Sequence, residues 1–547
     1  MDEQGRGRSK VWTPLLFSIV LATGMIFGFN MRDSLRNKRD IGTVMQRNDR
    51  LEEIIDLINE KYVDTVNNNL LYQDAVSGIL KSLDPHTVYI PSEDLQSVND
   101  DLDGGFSGIG VEFSIVRDTI QVNSVIDNGP AAKAGVEIGD QLIKVGDSLV
   151  AGNGITSERI VHLLKGKQHS LVSVTIKRLV NGQMTQTAIA RDIIPTPSVD
   201  ANLLLDSITG FIKINRFSAT TYQEFSDALK NLQDKGAKQL ILDLRDNPGG
   251  YLDAATSLCN DFLDGKKLIV YTKGVHTMRA EYRASDKGLF EKGKLVVLVD
   301  ESSASASEIV AGAIQDWDRG VIIGRRTFGK GLVQEQYEMP DGSALRLTVA
   351  KYYTPSGRCI QRSFANGRDA YMQAYEKRFE SGELTSGNDT GAVADTTRYY
   401  TSHRRAVYGG GGIKPDVFVP YDTTRFSPAM YSMLYSTELK DAIWDFFIQN
   451  KGKLKFKNII DFNEEFKAQD VVISSYLATL KPAALISAGK VLKNKDDYGY
   501  LRLHVKAEIA RFLFRDNGYY AISLEDDEAV RKAIEVLKGD YSKILGQ

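Results

Sequence analysis

Hydrophobic and polar positions follow several different periods along the chain. Residues 11–31 carry no charge, and an apolar run of that length is typical of a membrane-spanning helix. After it, Leu51, Ile54, Ile55 and Ile58 recur at helical spacing. Residues 32–100 are therefore predicted to form a helical segment.

Two further patterns occupy the middle of the chain. Residues 101–188 contain short alternating runs between Gly-rich turns, which predict a small β-rich domain. Residues 189–425 alternate strand and helix and include long apolar runs, which predict a layered α/β domain with parallel strands. Within it, the polar stretch 363–404 is expected to be an insertion or a mobile loop.

The last part of the chain, residues 426–547, returns to helical periods and carries no motif with recognisable chemistry. Two interpretations stay open for it, a packing domain and a homo-oligomerisation domain.

Composition narrows the classes of protein. The chain has 547 residues, too many for one core, and a formal net charge of −3, which gives no ground for a nucleic-acid partner. Its two cysteines and six histidines show no disulfide framework and no metal-ligand spacing. We therefore expect no metal and no cofactor.

The N-terminal apolar run has two interpretations, an uncleaved transmembrane anchor and a cleaved signal peptide. No small-residue cleavage site follows residues 11–31, which favours the anchor. Basic residues flank the run almost equally, so the positive-inside rule is nearly balanced. The very short tail 1–10 is consistent with the bulk of the chain lying outside the cytoplasm, on the periplasmic side in a Gram-negative bacterium.

Residues 324–330 have the spacing G-x-x-x-x-G-K, which opens a phosphate-binding loop. The next position of such a loop is Ser or Thr, but here it is Gly331, and an alternating, strand-like run follows. A nucleotide site is therefore disfavoured, and Lys330 needs another explanation.

A serine cluster at residues 302–307 follows a buried strand and opens a helix. Ser305 and Glu308 fit a structural capping box, yet a serine there is also suited to act as a nucleophile, with the free N–H of Ala306 stabilising an oxyanion. No histidine lies between residues 277 and 402, and His276 is the nearest upstream candidate base. Lys330, flanked by glycines and desolvated, is an alternative base. Gln334 lies four residues further on, at an even spacing that predicts a shared strand face with Lys330.

Gly108, Ile109, Gly110 and Val111 precede a predicted strand. Two glycines around an apolar residue allow successive backbone N–H groups to point at one anion, although an ordinary turn has the same pattern. Together with the run PAAKAGVEIGDQLIKVG that follows, this stretch resembles a PDZ domain, which binds protein C-termini by adding the peptide as a strand.

The whole arrangement resembles the C-terminal processing peptidases, serine proteases with a Ser–Lys dyad. The resemblance rests on ordered motifs: YVD (62–64), SLDPHT (82–87), SGIGVEF (107–113), LDLRDNPGG (242–250), SASASEIVAGAIQD (303–316), TFGKGLVQ (327–334), YYTPSGRCIQ (352–361) and GGIKPDV (411–417). It implies a crotonase-like protease core with an inserted PDZ domain.

The same resemblance implies roles for individual residues. Ser305 takes the place of the nucleophile, Lys330 that of the general base and Gln334 that of the supporting residue. The oxyanion hole falls on the backbone of Gly249, Gly250 and Ala306. The expected function is that of a membrane-anchored, ATP-independent endopeptidase that recognises the C-termini of protein or peptide substrates.

Two alternatives remain. A PDZ adaptor with an inactive protease-like domain would have no reason to retain Ser305, Lys330 and Gln334 together. An ATPase is disfavoured by Gly331.

Overall fold

In a computed structural model of the chain, residues 50–179, 181–285, 287–387, 397–423 and 425–547 are described here. By its contacts the chain divides into two compact units, residues 1–79 and 80–547. At the start of the described chain, Arg50–Lys61 and Asn68–Leu80 are helices, as the apolar spacing predicts. The predicted anchor at 11–31 lies outside the described residues, and no described helix is long and apolar enough to cross a membrane.

The centre of the second unit is a six-stranded sheet. Its strands, in spatial order, are Val199–Leu204, Thr209–Ile214, Gln239–Asp243, Leu295–Val299, Val321–Gly324 and Val417–Phe418. The first pairing is antiparallel and the other four are parallel, which confirms the parallel arrangement predicted from the apolar runs.

Both faces of this sheet are buried, as two separate apolar clusters show. Helices Thr221–Asp234, Leu252–Asn260 and Ala306–Asp316 contribute to the cluster on one face. Helix Glu528–Lys538, near the end of the chain, contributes to the cluster on the opposite face. The C-terminal region is therefore part of the packing of the protease core.

A second sheet was not anticipated as a separate layer. It is antiparallel, with strand order Val88–Ile90, Ala344–Tyr353, Leu268–Lys273 and Ala280–Arg283, and Leu332–Glu338 pairs with Ala344–Tyr353. The alternation after Lys330 thus forms the first strand of a hairpin, as the sequence predicts.

The β-rich domain is a six-stranded sheet with two helices. Its strands are Val111–Val116, Thr119–Val125, Gln141–Val145, Ser148–Leu149, Leu171–Lys177 and Met184–Ala190, and its helices are Pro130–Lys133 and Ser157–Leu164. The paired strands Gly105–Gly108 and Asp192–Pro195 lie where the chain enters and leaves it, after helix Ser92–Asp103.

The C-terminal region is helical, as predicted. Its helices are Pro428–Leu434, Thr437–Asn450, Ile459–Glu465, Gln469–Thr479, Pro482–Lys493, Lys495–Ser523, Glu528–Lys538 and Tyr541–Ile544, with a 3₁₀ turn at Leu524–Asp526. Besides its own core it contacts the β-rich domain, where Val116 packs with Trp444 and Phe447.

The predicted polar insertion is more ordered than its composition suggests. Its described residues include helices Gly367–Met372, Ala374–Glu380 and Glu383–Ser386 and strand Arg398–Tyr400, which pairs with Ala406–Tyr408 just after the insertion. Buried Glu383 pairs with both Arg326 and Arg378, so charged residues here form an internal network that polarity alone did not reveal.

Candidate active site

The two loops that carry the predicted catalytic groups follow neighbouring parallel strands. The turn with Gly249 and Gly250 comes after Gln239–Asp243, and Ser305 comes after Leu295–Val299. Because the carboxyl ends of parallel strands lie at the same edge of a sheet, the fold brings these loops together.

Asn247 fastens the two loops to each other. Its carbonyl oxygen accepts hydrogen bonds from the N–H of Ala304 and the hydroxyl of Ser307, each at 3.0 Å. A β-carbon added at Gly249 would lie 2.8 Å from the β-carbon of Ser305, so only glycine permits this approach. The sequence motif marks the turn, but the role of Asn247 as its anchor was missed.

A cavity of about 600 Å³ is lined by most of the predicted site residues. Its lining includes Ser305, Lys330, Gln334, Gly249, Gly250 and Ala306. The remaining wall contains several apolar side chains: Leu102, Leu252, Ile309, Leu332 and Val333. The structure therefore brings the predicted catalytic set together beside a surface suited to apolar groups.

Ser305 differs from its two neighbouring serines. The hydroxyl of Ser303 donates to the carbonyl of Leu244 at 2.8 Å, and that of Ser307 donates to Asn247; both side chains are buried. The hydroxyl of Ser305 donates no hydrogen bond among the described residues, and Ser305 lines the cavity. Its backbone has φ +54°, a strained conformation for a residue other than glycine.

Lys330 lies in the loop before the strand that contains Gln334. Its Nζ donates to Gln334 Oε1 at 2.9 Å, while the amide nitrogen of Gln334 donates to the backbone carbonyl of His86. The predicted contact is present, but the predicted reason is wrong. Lys330 precedes strand Leu332–Glu338, and the strand register shifts between Val333 and Gln334, so the two residues do not share a regular strand face.

Burial lowers the pKa of Lys330, and the positive charge of Arg346 lowers it further, while Asp84 and Glu308 act in the opposite direction. The loop is held close to its neighbours, because a β-carbon at Gly331 would lie 2.9 Å from the backbone nitrogen of Gln361. No hydrogen bond joins Lys330 Nζ to Ser305 Oγ among the described residues. Such contacts are often long in free enzymes and tighten when substrate binds.

Glu308 links the loops of Ser305 and Lys330 through one buried carboxylate. One oxygen accepts from the N–H of Ser305 at 2.9 Å and from that of Lys330 at 2.8 Å. The other accepts from the hydroxyl of Thr327 at 2.5 Å and the N–H of Gly329 at 2.7 Å. The predicted capping contact from Glu308 to Ser305 is present, but its extension to the lysine loop was missed.

Tyr352 connects the same two residues from a different strand. Its buried hydroxyl lies 3.0 Å from the carbonyl oxygen of Ser305 and 2.7 Å from that of Lys330, and shares one proton between them. Nothing in the local sequence around Tyr352 signals this contact.

Two histidines bear on the choice of base. His276 is exposed in a loop, whereas His86, distant from Ser305 in sequence, is linked to Lys330 through Gln334. Burial, together with the charge of Lys330, lowers the pKa of His86 to about 4. Its Nε2 is 2.8 Å from the hydroxyl of Tyr371.

The predicted oxyanion donors are not equivalent. The N–H of Gly249 donates to Asn247 Oδ1 at 2.9 Å. The N–H groups of Gly250 and Ala306 have no acceptor among the described residues, and both residues line the cavity. Ala306 also opens the helix Ala306–Asp316, whose dipole favours negative charge at this end.

The predicted carboxylate loop lies in the β-rich domain. The carbonyls of Ile109 and Gly110 accept from Ala131 and Ile126, but their N–H groups have no acceptor in the described part of the chain. Val111 begins the strand at the edge of the sheet, and an edge strand can accept a further strand. Gly110 has φ +78°, which glycine adopts without strain.

No group of three or more His, Cys, Asp or Glu residues is placed to hold a metal ion within the ranges that the structure describes.

Comparisons with known proteins agree with this arrangement. Residues 208–366 match Peptidase family S41, residues 107–190 match a PDZ domain, and residues 28–94 match the N-terminal domain of the activating protease CtpB. A carboxy-terminal-processing protease of Bartonella bacilliformis is 38% identical over 345 residues, covering 62% of this chain and 78% of the relative.

Two other similar proteins have related names. The carboxy-terminal processing protease CtpA of Bacillus subtilis is 33% identical over 361 residues, covering 64% of this chain and 75% of the relative. A solved structure of a photosystem II D1 C-terminal processing protease is 27% identical, with a TM-score of 0.33, and covers 57% of this chain and 89% of that chain.

Fold and matches together define a serine peptidase with an inserted PDZ domain and helical terminal regions, which confirms the predicted fold class. The chain belongs to peptidase family S41, among the carboxy-terminal processing proteases.

Proposed function

We propose that this protease cuts the C-terminal regions of proteins without ATP, with Ser305 as nucleophile and Lys330 as general base. One observation carries the proposal. Ser305, whose hydroxyl donates to no described group, and Lys330 line one cavity, and the carboxylate of Glu308 holds the backbone of both residues.

In the first step, neutral Lys330 accepts the hydroxyl proton of Ser305 while Oγ attacks the scissile carbonyl carbon. The carbonyl oxygen becomes an oxyanion, which the N–H groups of Gly250 and Ala306 stabilise. Gln334 orients the amine, because its own amide nitrogen is engaged with the His86 carbonyl and its oxygen therefore faces Lys330.

When the intermediate collapses, the C–N bond breaks and Lys330 returns the proton to the leaving amine. The substrate's acyl group stays on Ser305 as an ester. A water molecule, deprotonated by Lys330, then hydrolyses this ester and restores the free serine.

We further propose that the PDZ domain binds the substrate's terminal carboxylate through the backbone of Gly108, Ile109, Gly110 and Val111. The free N–H groups of Ile109 and Gly110 and the open edge strand beginning at Val111 support this role.

Residues 11–31 anchor the chain in a membrane, and the catalytic domains lie outside the cytoplasm. The uncharged run of residues 11–31 supports the anchor. Alkaline extraction of membranes should leave the full chain in the pellet and release a chain that begins at Arg32. Release of both chains would contradict the anchor.

Cleavage of an unfolded protein by the purified chain, without added nucleotide, tests the central proposal. Wild-type protein should cut, and Ser305→Ala should not. Ser303→Ala and Ser307→Ala are matched controls, because each removes a hydroxyl already used in a buried hydrogen bond, and they should retain most of the activity per folded molecule. Persistent cleavage by Ser305→Ala, or dependence on nucleotide, would contradict the proposal.

A further inference from the structure

Arg346 is a second cation in the wall of the active-site cavity, besides Lys330. It lies on strand Ala344–Tyr353, directly opposite Gln336 in the hairpin. Its Nη2 donates to Gln336 Oε1 at 2.9 Å, and the amide nitrogen of Gln336 donates to Asn99 Oδ1 at 3.1 Å. The side chain is therefore held in place by a short polar chain of contacts.

Within the described ranges this guanidinium has no carboxylate as a counter-ion. No ion pair joins Arg346 to a carboxylate among the described residues, and its Nε and Nη1 donate to no acceptor there. Asp253, which also lines the cavity, is exposed and does not contribute to the shift in the Arg346 pKa. Burial lowers that pKa, so the protein keeps a partly desolvated positive charge beside its active site.

Buried or half-buried charges in proteins are ordinarily paired, because desolvation without a partner is unfavourable. A positioned guanidinium with unused donors facing a substrate cavity is suited to a carboxylate, which it binds in a planar, two-pronged geometry. The partner of Arg346 is therefore expected to arrive with the substrate.

The position of Arg346 relative to Lys330 indicates which part of the substrate it meets. Arg346 and Lys330 line the same cavity, and Gln336, which pairs with Arg346, lies two residues after Gln334, which accepts from Lys330 Nζ. The general base returns its proton to the leaving amine, so the leaving C-terminal fragment passes beside Lys330. That fragment carries the α-carboxylate of the substrate.

We infer that Arg346 is a specificity residue that binds a carboxylate of the leaving fragment, foremost the terminal α-carboxylate when that fragment is short. This inference rests on the proposed function of Ser305 and Lys330. It assigns the active site its own means of selecting cleavage close to a C-terminus, separate from the carboxylate loop of the PDZ domain.

The inference is tested by changing the enzyme and the substrate, first separately and then together, and measuring whether the two effects are independent. Peptides with one cleavage site and leaving fragments of increasing length are prepared with free-acid and amidated ends, since amidation removes the terminal charge. The kcat/KM of each is measured with the wild-type full chain and with Arg346→Gln. Because amidation affects PDZ binding equally in both enzymes, only the interaction between the two changes reports on Arg346.

For short leaving fragments, amidation should lower kcat/KM of the wild type about tenfold more than that of Arg346→Gln, as expected for loss of one charge-assisted contact. This difference should disappear as the fragment lengthens. A second set of amidated peptides places Glu at successive positions of the fragment. If the difference in kcat/KM between the two enzymes depends on the position of the Glu and not on the terminal carboxylate, Arg346 binds an acidic side chain of the fragment. If neither the terminal carboxylate nor a Glu produces a difference, the inference is wrong.

Two controls separate this outcome from other effects. Arg283→Gln removes an arginine from the same antiparallel sheet, where it pairs with exposed Glu281, and should leave the cycle unchanged. Arg346→Lys keeps the charge and should restore part of the selectivity, and thermal unfolding checks that both Arg346 variants fold. If Ser305→Ala abolishes cleavage but amidation affects the wild type and Arg346→Gln equally, the result would reject the role of Arg346 and leave the proposed function standing.

Discussion

The proposed Ser305–Lys330 site and the proposed carboxylate loop of the PDZ domain both present backbone N–H groups that have no acceptor among the described residues, but they are held in different ways. At the catalytic site, the side chains of Glu308 and Tyr352 fix the backbone of both Ser305 and Lys330. In the carboxylate loop, main-chain carbonyls of Ile109 and Gly110 make the holding contacts.

This difference has a consequence for mutations. Catalysis requires a fixed geometry between side chains, so buried side chains that hold the backbone are needed for activity as well as stability. Recognition of a carboxylate by backbone N–H groups depends on the ligand's charge, so most side-chain changes in the loop should matter little.

The largest effect among the supporting residues is expected for Glu308→Gln. An amide in place of the carboxylate turns one acceptor atom into a donor that faces two N–H or O–H donors, whichever way it is oriented. Stability should fall by about 2–4 kcal/mol. Because the same change displaces Ser305 and Lys330, kcat should fall by about a hundredfold or more per folded molecule.

Glu224→Gln is the matched control for this comparison. Its carboxylate also accepts backbone N–H groups, those of Ser198 and Val199, but away from the cavity. Chemical denaturation should show a loss of stability in both variants and activity assays a loss of kcat in Glu308→Gln alone. Equal kcat in the two variants would show that Glu308 only stabilises the fold.

Tyr352→Phe should have a smaller effect, because it removes one hydroxyl shared by two carbonyls. We expect a stability loss of about 1 kcal/mol and a fall of about tenfold in kcat with little change in KM. Tyr541→Phe removes a buried hydroxyl that contacts Leu295 and Arg319, neither of which lines the cavity, and should affect stability only. A similar fall in kcat for both variants would show that the Tyr352 hydroxyl has no specific role in positioning Ser305 and Lys330.

The pH dependence of kcat/KM distinguishes a lysine from a histidine as the general base. If Lys330 is the general base, its neutral form is the active one, so kcat/KM should rise with pH through a pKa below the usual lysine value of 10.5, since burial and Arg346 lower it. His86, with its pKa lowered to about 4, is neutral throughout that range. His86→Gln should therefore keep the position of this limb, and His276→Gln should keep it as well. A limb that moves with either histidine would contradict the assignment of Lys330.

The smallest effect is expected in the carboxylate loop. Amidating a peptide's C-terminus should weaken its binding to the PDZ domain of the inactive Ser305→Ala full chain, whereas Val111→Ile should leave binding nearly unchanged, because the contact is made by the backbone. Fluorescence anisotropy measures both. If a full chain with both Ser305→Ala and Arg346→Gln binds free-acid and amidated peptides with equal affinity, the carboxylate-loop proposal is wrong.

The sequence predicted those parts of the site that depend on local patterns. Ser305 stands at a strand-to-helix junction, and Lys330 stands in a glycine-flanked loop before a strand, so both were found from spacing and chemistry. Gln334 was found for an incorrect reason, because a shift in strand register, and not regular alternation, accompanies its contact with Lys330.

Other site residues could not be found in this way, because they act through backbone groups of distant segments. His86 accepts the Gln334 amide through its carbonyl, and Tyr352 contacts two carbonyls, so neither role depends on a sequence pattern. One missed feature did leave a signal. The central strands are apolar on both faces, which requires a second covering layer, and the amphipathic helix Glu528–Lys538 provides it.

The most direct test of the account is the kcat/KM of Ser305→Ala, Lys330→Ala and the double variant, measured on one peptide with thermal unfolding as the check on folding. If Ser305 and Lys330 act as a unit, each single variant should lose activity by about 10⁴-fold or more, and the double variant should lose no more than the worse single variant. Substantial cleavage by folded Lys330→Ala, or losses that add in the double variant, would contradict the Ser305–Lys330 mechanism.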